Sequence, residues 1–372
     1  MSAIVFTTSL QAQTPARIFD GAMTSSGRNR PSINLGKDDL LKLCALLHLR
    51  VPVSELPGPL GISAEELQRR VDVLVGEGLA RRLPDQRVVT TAVVVTMEDV
   101  PKYFKPDNHV VESAARMMLK KLPAVRAACQ KLESLADVPF ESLSFFVMSD
   151  VLLDNWQIGN VERLFVKAER TLRTGGRYYY TILEKPATLA AEPFGLYGNT
   201  GSQWGSVEIG LYGNDRFSGH TLLSIREADF NRTFDFEKDF NTTEARRQLA
   251  DRLVEAVKRG PSSLTPFQQE SLSRLGLIKG DKLAVILLRD ADYKALDHVA
   301  SLITKDLVTF LDRTRARVRQ TYEKSSYAEE TSFNEYLMCW YHFFYAAVTN
   351  RLRDKGAISI PPNGNVTYLV VK

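Results

Sequence analysis

Apolar residues recur every three to four positions over several stretches of this chain, and between these lie shorter runs that alternate or stay apolar, the respective marks of packed helices and strands. Leu40, Leu41, Leu43, Cys44, Leu46 and Leu47 predict a buried helix from Asp38 to His48, followed by the Pro/Gly-broken segment VPVSELPGPLGI. Ser63 with Glu66 three residues on has the spacing of a capping box, so a second helix opens there and turns Leu67, Val71, Leu74 and Val75 inward. Gly76 and Gly78 end it, and ARRLPDQRVVTTAVVV predicts two strands around a Pro-Asp-Gln turn.

Beyond Pro101 a helix spanning about residues 110–133 leads into SLSFFVMSDVLLD, RYYYTILEK, FGLYGN and VEIGLYGND, runs that predict mixed α and β structure as far as Gly260. Leu-Tyr-Gly-Asn occurs at 196–199 and 211–214, as two strands ending in similar turns would produce. A helix from Glu244 to Lys258 precedes PFQQESLSRLGLIKGDKLAVILLRDADY, which again predicts helix, glycine and hairpin. A long helix built on Leu296, Val299, Ile303, Leu307 and Phe310 closes with Arg313, Arg315, Arg317 and Arg319, whose spacing of two scatters them around the surface. The next helix carries Phe333, Leu337, Trp340, Phe344, Val348 and Leu352, a broad face for the core or for a second subunit; NRLRDKGAISIPPNGNVTYLVV then predicts a closing hairpin.

Residues 38–96, and above all ISAEELQRRVDVLVGEGLARRLPDQRVVT, resemble the winged-helix transcription regulators of the MarR and ArsR type, a resemblance that covers about one sixth of the chain. The patterns along the chain read as an α+β fold with a flexible arm (1–36), a central α+β domain (101–260) and a mainly helical C-terminal domain with wing-like hairpins, ending in a β-hairpin (261–372), and the resemblance implies a winged helix-turn-helix domain over 37–100. It also implies binding of double-stranded DNA by a homodimer whose remaining domains answer to a small-molecule or protein effector. At about 100° per residue, the face opposite the apolar stripe carries Arg69, flanked by Glu65, Asp72 and Val73. The candidate DNA contacts are Ser63 at the helix start, Gln68, Arg69 and Arg70 along it, and Arg81, Arg82 and Arg87 on the hairpin, where a wing meets phosphate. Glu65, Glu66 and Asp72 outnumber Arg69 and Arg70, a departure from strong DNA readers that leaves a protein-binding winged helix as the alternative.

Composition narrows the partners. The 48 Lys+Arg against 44 Asp+Glu leave a net charge of +4, so nucleic acid would have to meet a local patch rather than the whole chain. Cys44, Cys129 and Cys339 lie far apart, which predicts neither disulfides nor zinc and points to a reducing cytoplasm. Residues 2–16 lack the basic start of a signal peptide, and no run suggests a membrane span. No phosphate loop, GxSxG or HExxH occurs, so no cofactor, metal or catalytic residue is expected. Asp150 and Asp154 beside Trp156, with the two Leu-Tyr-Gly-Asn segments, are the one place where an enzyme site is conceivable, and a structural turn accounts for them more simply. Trp156, Tyr180, Tyr197 and Trp204 are the candidates for an aromatic effector pocket.

Overall fold

A computed structural model describes residues 17–185, 194–214 and 243–372, and combines helices with several small sheets, an α+β organisation. Strand β1 (Ile18–Thr24) lies in what the sequence reads as a flexible arm. It pairs antiparallel with β7 (Tyr179–Lys185), which in turn pairs parallel with β4 (Val93–Val95). The arm expectation is therefore corrected for residues 18–24; residues 1–16 lie outside the described residues. Only Phe19 of this strand is fully buried, so the strand lacks the clean alternation that would have revealed it. The polar SSGRNRPS segment is also tied down, since the Arg30 amide donates to the Gly175 carbonyl and the Ser32 hydroxyl bonds the Glu77 carboxylate.

Helices α1 (Leu40–His48), α2 (Pro57–Leu60) and α3 (Ala64–Glu77) precede β2 (Ala80–Arg82) and β3 (Val88–Thr90), which form an antiparallel hairpin. Ser63 caps α3 by accepting the Glu66 amide at 3.1 Å. At the other end Gly78, with φ 82°, allows its own amide to reach Val75 O and the Leu79 amide to reach Leu74 O, closing the helix. Leu43, Cys44, Leu67, Val71, Leu74, Val94, Tyr178 and Ile182 share one apolar core, so this unit packs on the three-stranded sheet.

The largest core is helical. It joins α4 (Asn108–Cys129), α5 (Phe140–Phe145) with its π-helical continuation to Val151, and α6 (Asn155–Val161) to two later helices. The apolar run at 143–154, which the sequence groups with strand-like segments, is thus helical. A fully buried helix and a fully buried strand are equally apolar, and periodicity does not separate them.

After the short ribbon β5 (Leu172–Arg173) and β6 (Gly176–Arg177), strands β8 (Gly198–Trp204) and β9 (Val207–Gly213) form a hairpin. Its register sets Gly198 opposite Gly213 and Asn199 opposite Tyr212, so the two Leu-Tyr-Gly-Asn segments face each other at the end away from the turn. Helices α7 (Thr243–Arg259) and α8 (Pro266–Arg274) then lead to the hairpin β10 (Ile278–Lys279) and β11 (Lys282–Leu283) and on to β12 (Val285–Arg289).

Helix α9 (Asp290–Glu323) buries Leu296, Val299, Ile303, Leu307 and Leu311 against the helical core. The short α10 (Tyr327–Glu330) connects it to α11 (Phe333–Asp354), whose aromatics are buried all round, with Phe344 and Tyr345 at 0% exposure. That face is core, so it offers nothing to a second subunit. The last strand, β13 (Asn365–Val371), runs parallel to β12 and antiparallel to β9 in the sheet β12-β13-β9-β8. The expected closing hairpin is therefore corrected: the partners of β13 lie far back in the chain. This sheet also joins segments from both sides of residue 260. Gly210 lies under the ring of Tyr368, a close approach that leaves no room for a Cβ.

Candidate nucleic-acid interface

The outer face of α3 is open: Ala64, Glu65, Gln68, Arg69 and Asp72 are exposed, while Leu67, Val71 and Leu74 point into the core. Val73, expected on the outer face, packs partly against that core. The Arg69 side chain is 55% exposed, and the hairpin lies alongside, since Arg82 Nη2 meets Asp72 Oδ1 at 2.6 Å.

Every guanidinium of the candidate set already has an acceptor. Arg69 is bidentate on Glu66, at 2.8 and 2.6 Å, with Asp38 3.7 Å away. Arg70 donates to Glu66 at 2.8 Å and to the Asp38 carbonyl at 2.5 Å; only 11% of its side chain is exposed, so it braces α3 against the chain before α1 and does not face outward. Hydrogen bonds from Arg69 and Arg70, and then their charges, hold the Glu66 carboxyl down at about 2. Gln68 donates to Asp72 at 2.9 Å. The Ser63 hydroxyl is committed to its cap, and Glu66, occupied by arginines, serves only half of the capping box.

The hairpin is held by a distant element. Arg81 donates to the Glu329 carbonyl, and Arg87 bridges Asp85 at 2.7 Å and the Glu329 carboxylate at 2.6 Å. Arg50, just after α1, reaches the same carboxylate at 2.5 Å. Beside this clamp, His48 lies between Glu330 (Nδ1, 2.6 Å) and Asp99 (Nε2, 3.3 Å), with Arg50 3.4 Å from the other Glu330 oxygen and the Tyr327 ring tilted against it at 5.1 Å between centroids. Burial alone would lower the His48 imidazolium, but hydrogen bonds to Asp99 and Glu330 and their charges outweigh it and push the group up to about 9. A second buried tie runs from Arg173, which donates to the carbonyls of Gly78 and Tyr178 and to Glu335 at 2.8 Å.

The four aromatic candidates are not brought together. Trp156 and Tyr197 belong to the helical core, Tyr180 to the core under α3, and Trp204 to the core under α7. A recess of about 250 Å³ elsewhere is lined by Arg126, Gln130, Leu135, Val138 and Pro139 and contains none of the four. Asp150 and Asp154 are fully enclosed, at 0% and 4% exposure. Asp150 accepts from Asn199 at 2.8 Å, Asp154 accepts from the Tyr345 hydroxyl at 3.0 Å, and Ser149, Tyr212 and Thr349 complete a hydroxyl network beside them. Burial, then the Asp154 charge, drives the Asp150 carboxyl well up. This is a packed polar core. Among the described residues no three His, Cys, Asp or Glu side chains converge on a metal position, and no helix is long and apolar enough to cross a membrane.

No family model, curated protein or solved structure matches the chain.

Sequence reasoning missed Glu329, whose link to the hairpin spans 242 residues, and Glu330, whose link to His48 spans 282; neither leaves a local trace. It also passed over Lys258, Lys279 and Lys282; the signal was present in the tetrapeptide Lys-Gly-Asp-Lys, a two-residue turn that sets two lysines opposite each other.

Proposed function

We propose that the protein binds double-stranded DNA as a transcriptional regulator, with α3 as the helix that enters the major groove and the β2–β3 hairpin as its wing. The observation that carries this reading is the uncovered face of α3, with Gln68 and Arg69 outward and Arg82 beside them. Exposed ion pairs contribute only about 0–1 kcal/mol, so phosphates can replace the carboxylates that now hold Arg69 and Arg82. In this reading a homodimer places two α3 helices on two half-sites. A small-molecule or protein effector would act through the C-terminal helices, which reach the hairpin by way of Glu329.

The test is selection of bound genomic fragments by the purified protein at two salt concentrations, repeated with R69A/R82A. The double variant is expected to lose the sequence preference of the wild type and about ten-fold or more in affinity, with the salt slope reduced by about 1–2. Unchanged preference and slope would refute the assignment. A protein-binding winged helix is the second reading, favoured by the carboxylate partner that each of Arg69, Arg70, Arg82 and Arg87 has. It predicts no retention of the wild type on heparin.

A further inference from the structure

The unit formed by α7, α8 and the β10–β11 hairpin repeats the local construction of the first. Thr265 and Gln268 form a reciprocal capping box at the start of α8: the Thr265 amide donates to Gln268 Oε1 at 3.1 Å, and the Gln268 amide donates to Thr265 Oγ1 at 3.3 Å. Gly276, at φ 70°, closes the helix as Gly78 closes α3, with the Leu277 amide on Leu272 O and its own amide on Ser273 O, both at 2.9 Å. The hairpin turns through Gly280, at φ 63°, and Asp281.

Its cations differ from those of the first unit. Lys279 and Lys282 are directly opposite in the hairpin register, both exposed, and neither makes an ion pair among the described residues. Directly opposed residues share one face with Cβ atoms about 4.5–5.5 Å apart, so two lysines there repel each other. Elsewhere in the unit Arg247, Arg259 and Arg274 are each paired with a neighbouring glutamate. A third exposed and unpaired cation, Lys258, sits at the end of α7, where Gly260 brings the chain against the Asp281 carbonyl and hence against the hairpin turn. The negative end of the helix dipole accounts for a cation at Lys258, but among the described residues no carboxylate lies within ion-pair distance of the two lysines at the tip. Over residues 243–284, eight Lys and Arg stand against five Asp and Glu.

We propose that the Lys279–Lys282 hairpin, supported by Lys258, is a second contact for the phosphate backbone of double-stranded DNA, one that does not read bases. It rests on the reading of the protein as a duplex binder. Lysine is a compact point charge without the planar fork that arginine offers to a guanine edge, so it suits phosphate. On the outer face of α8, Arg274 is engaged by Glu270, which leaves this helix without a free base-reading cation. The bound phosphates relieve the repulsion between the two lysines.

The test measures affinity of the full chain for a random-sequence duplex over a range of salt, comparing wild type, K279Q/K282Q, R69A/R82A and K102Q/K105Q, the last removing the same charge at two exposed lysines elsewhere. K279Q/K282Q is expected to lower the log–log salt slope by about 2 and to weaken low-salt binding about ten-fold, because each phosphate contact contributes about 0.9 to the slope. K102Q/K105Q is expected to change neither. At low ionic strength the Tm of K279Q/K282Q is expected to equal or exceed that of the wild type, since a repulsion is removed. An unchanged slope, an equal loss in K102Q/K105Q, a lowered Tm, or wild-type binding to polyglutamate as tight as to duplex would each overturn the proposal. If R69A/R82A alone loses affinity and slope, the hairpin proposal falls and the α3 assignment stands; if K279Q/K282Q alone does so, the reverse holds.

Discussion

Ser63 and Thr265 each cap a helix that ends at a Gly-Leu step and runs into a short hairpin, yet the cations that follow meet different surroundings. Around the first hairpin the rest of the chain supplies acceptors: Asp72 for Arg82, and Glu329 for Arg81 and Arg87. Residues 37–100 hold eight Lys and Arg against ten Asp and Glu, the opposite balance to 243–284. The docking differs as well. The first unit is joined to the C-terminal helices through the buried groups His48, Arg173, Glu330 and Glu335, whereas the core of the second is apolar, built from Leu249, Leu253, Leu264, Leu272, Leu277 and Leu283. One local plan thus has two outcomes: a clamped unit whose hairpin arginines are held by acceptors from elsewhere in the chain, and a unit whose hairpin lysines meet no ion-pair partner among the described residues.

The strongest way to break this contrast is to remove a buried tie. Arg173→Leu leaves Glu335 unpaired in a site where burial already raises its carboxyl pKa, and strips donors from the Gly78 and Tyr178 carbonyls. Breaking a buried pair from one side costs about 3–5 kcal/mol, so urea denaturation is expected to show a loss of that size. A variant that unfolds at the wild-type midpoint would mean that the charges do not hold the first unit in place.

A smaller effect follows from His48. Its folded-state pKa is raised from an ordinary 6.5 to about 9, so the stability it contributes is fully present below pH 6.5 and is lost as the pH rises through about 9. The urea midpoint of the wild type is expected to fall across that window, and that of His48→Gln to be lower at pH 6.5 and flatter above it. Equal slopes for the two proteins would remove the histidine from the clamp.

The mildest change sharpens the comparison. Asp72→Asn takes the carboxylate from Arg82 and makes the first unit more like the second. Because exposed pairs contribute little, the denaturation midpoint is expected to stay unchanged while duplex affinity rises a few-fold and the salt slope steepens by up to about 1. Unaltered duplex binding would indicate that Arg82 does not face DNA.

Much of this plan was readable along the chain because it rests on interactions within a few residues. The Ser63 cap, the inward stripe of α3, the turn ending in Gln86 (φ 68°) and the stripe of α9 all emerge from spacing and residue type. Side chains and backbone groups three to five positions apart meet whatever the remainder of the molecule does. Where the partner is remote, spacing is silent. The buried run at 143–154 became helical under packing from α9 and α11, β1 found β7 across more than a hundred residues, and β13 inserted between β12 and β9 instead of closing a hairpin.

The same division applies to the interface. Residue order alone determined which face of α3 points outward and which arginines the hairpin carries. Whether those arginines are free was decided by Glu329 and the other carboxylates that the fold delivers to them, because the field at a charge depends on distance through space and not on separation along the chain.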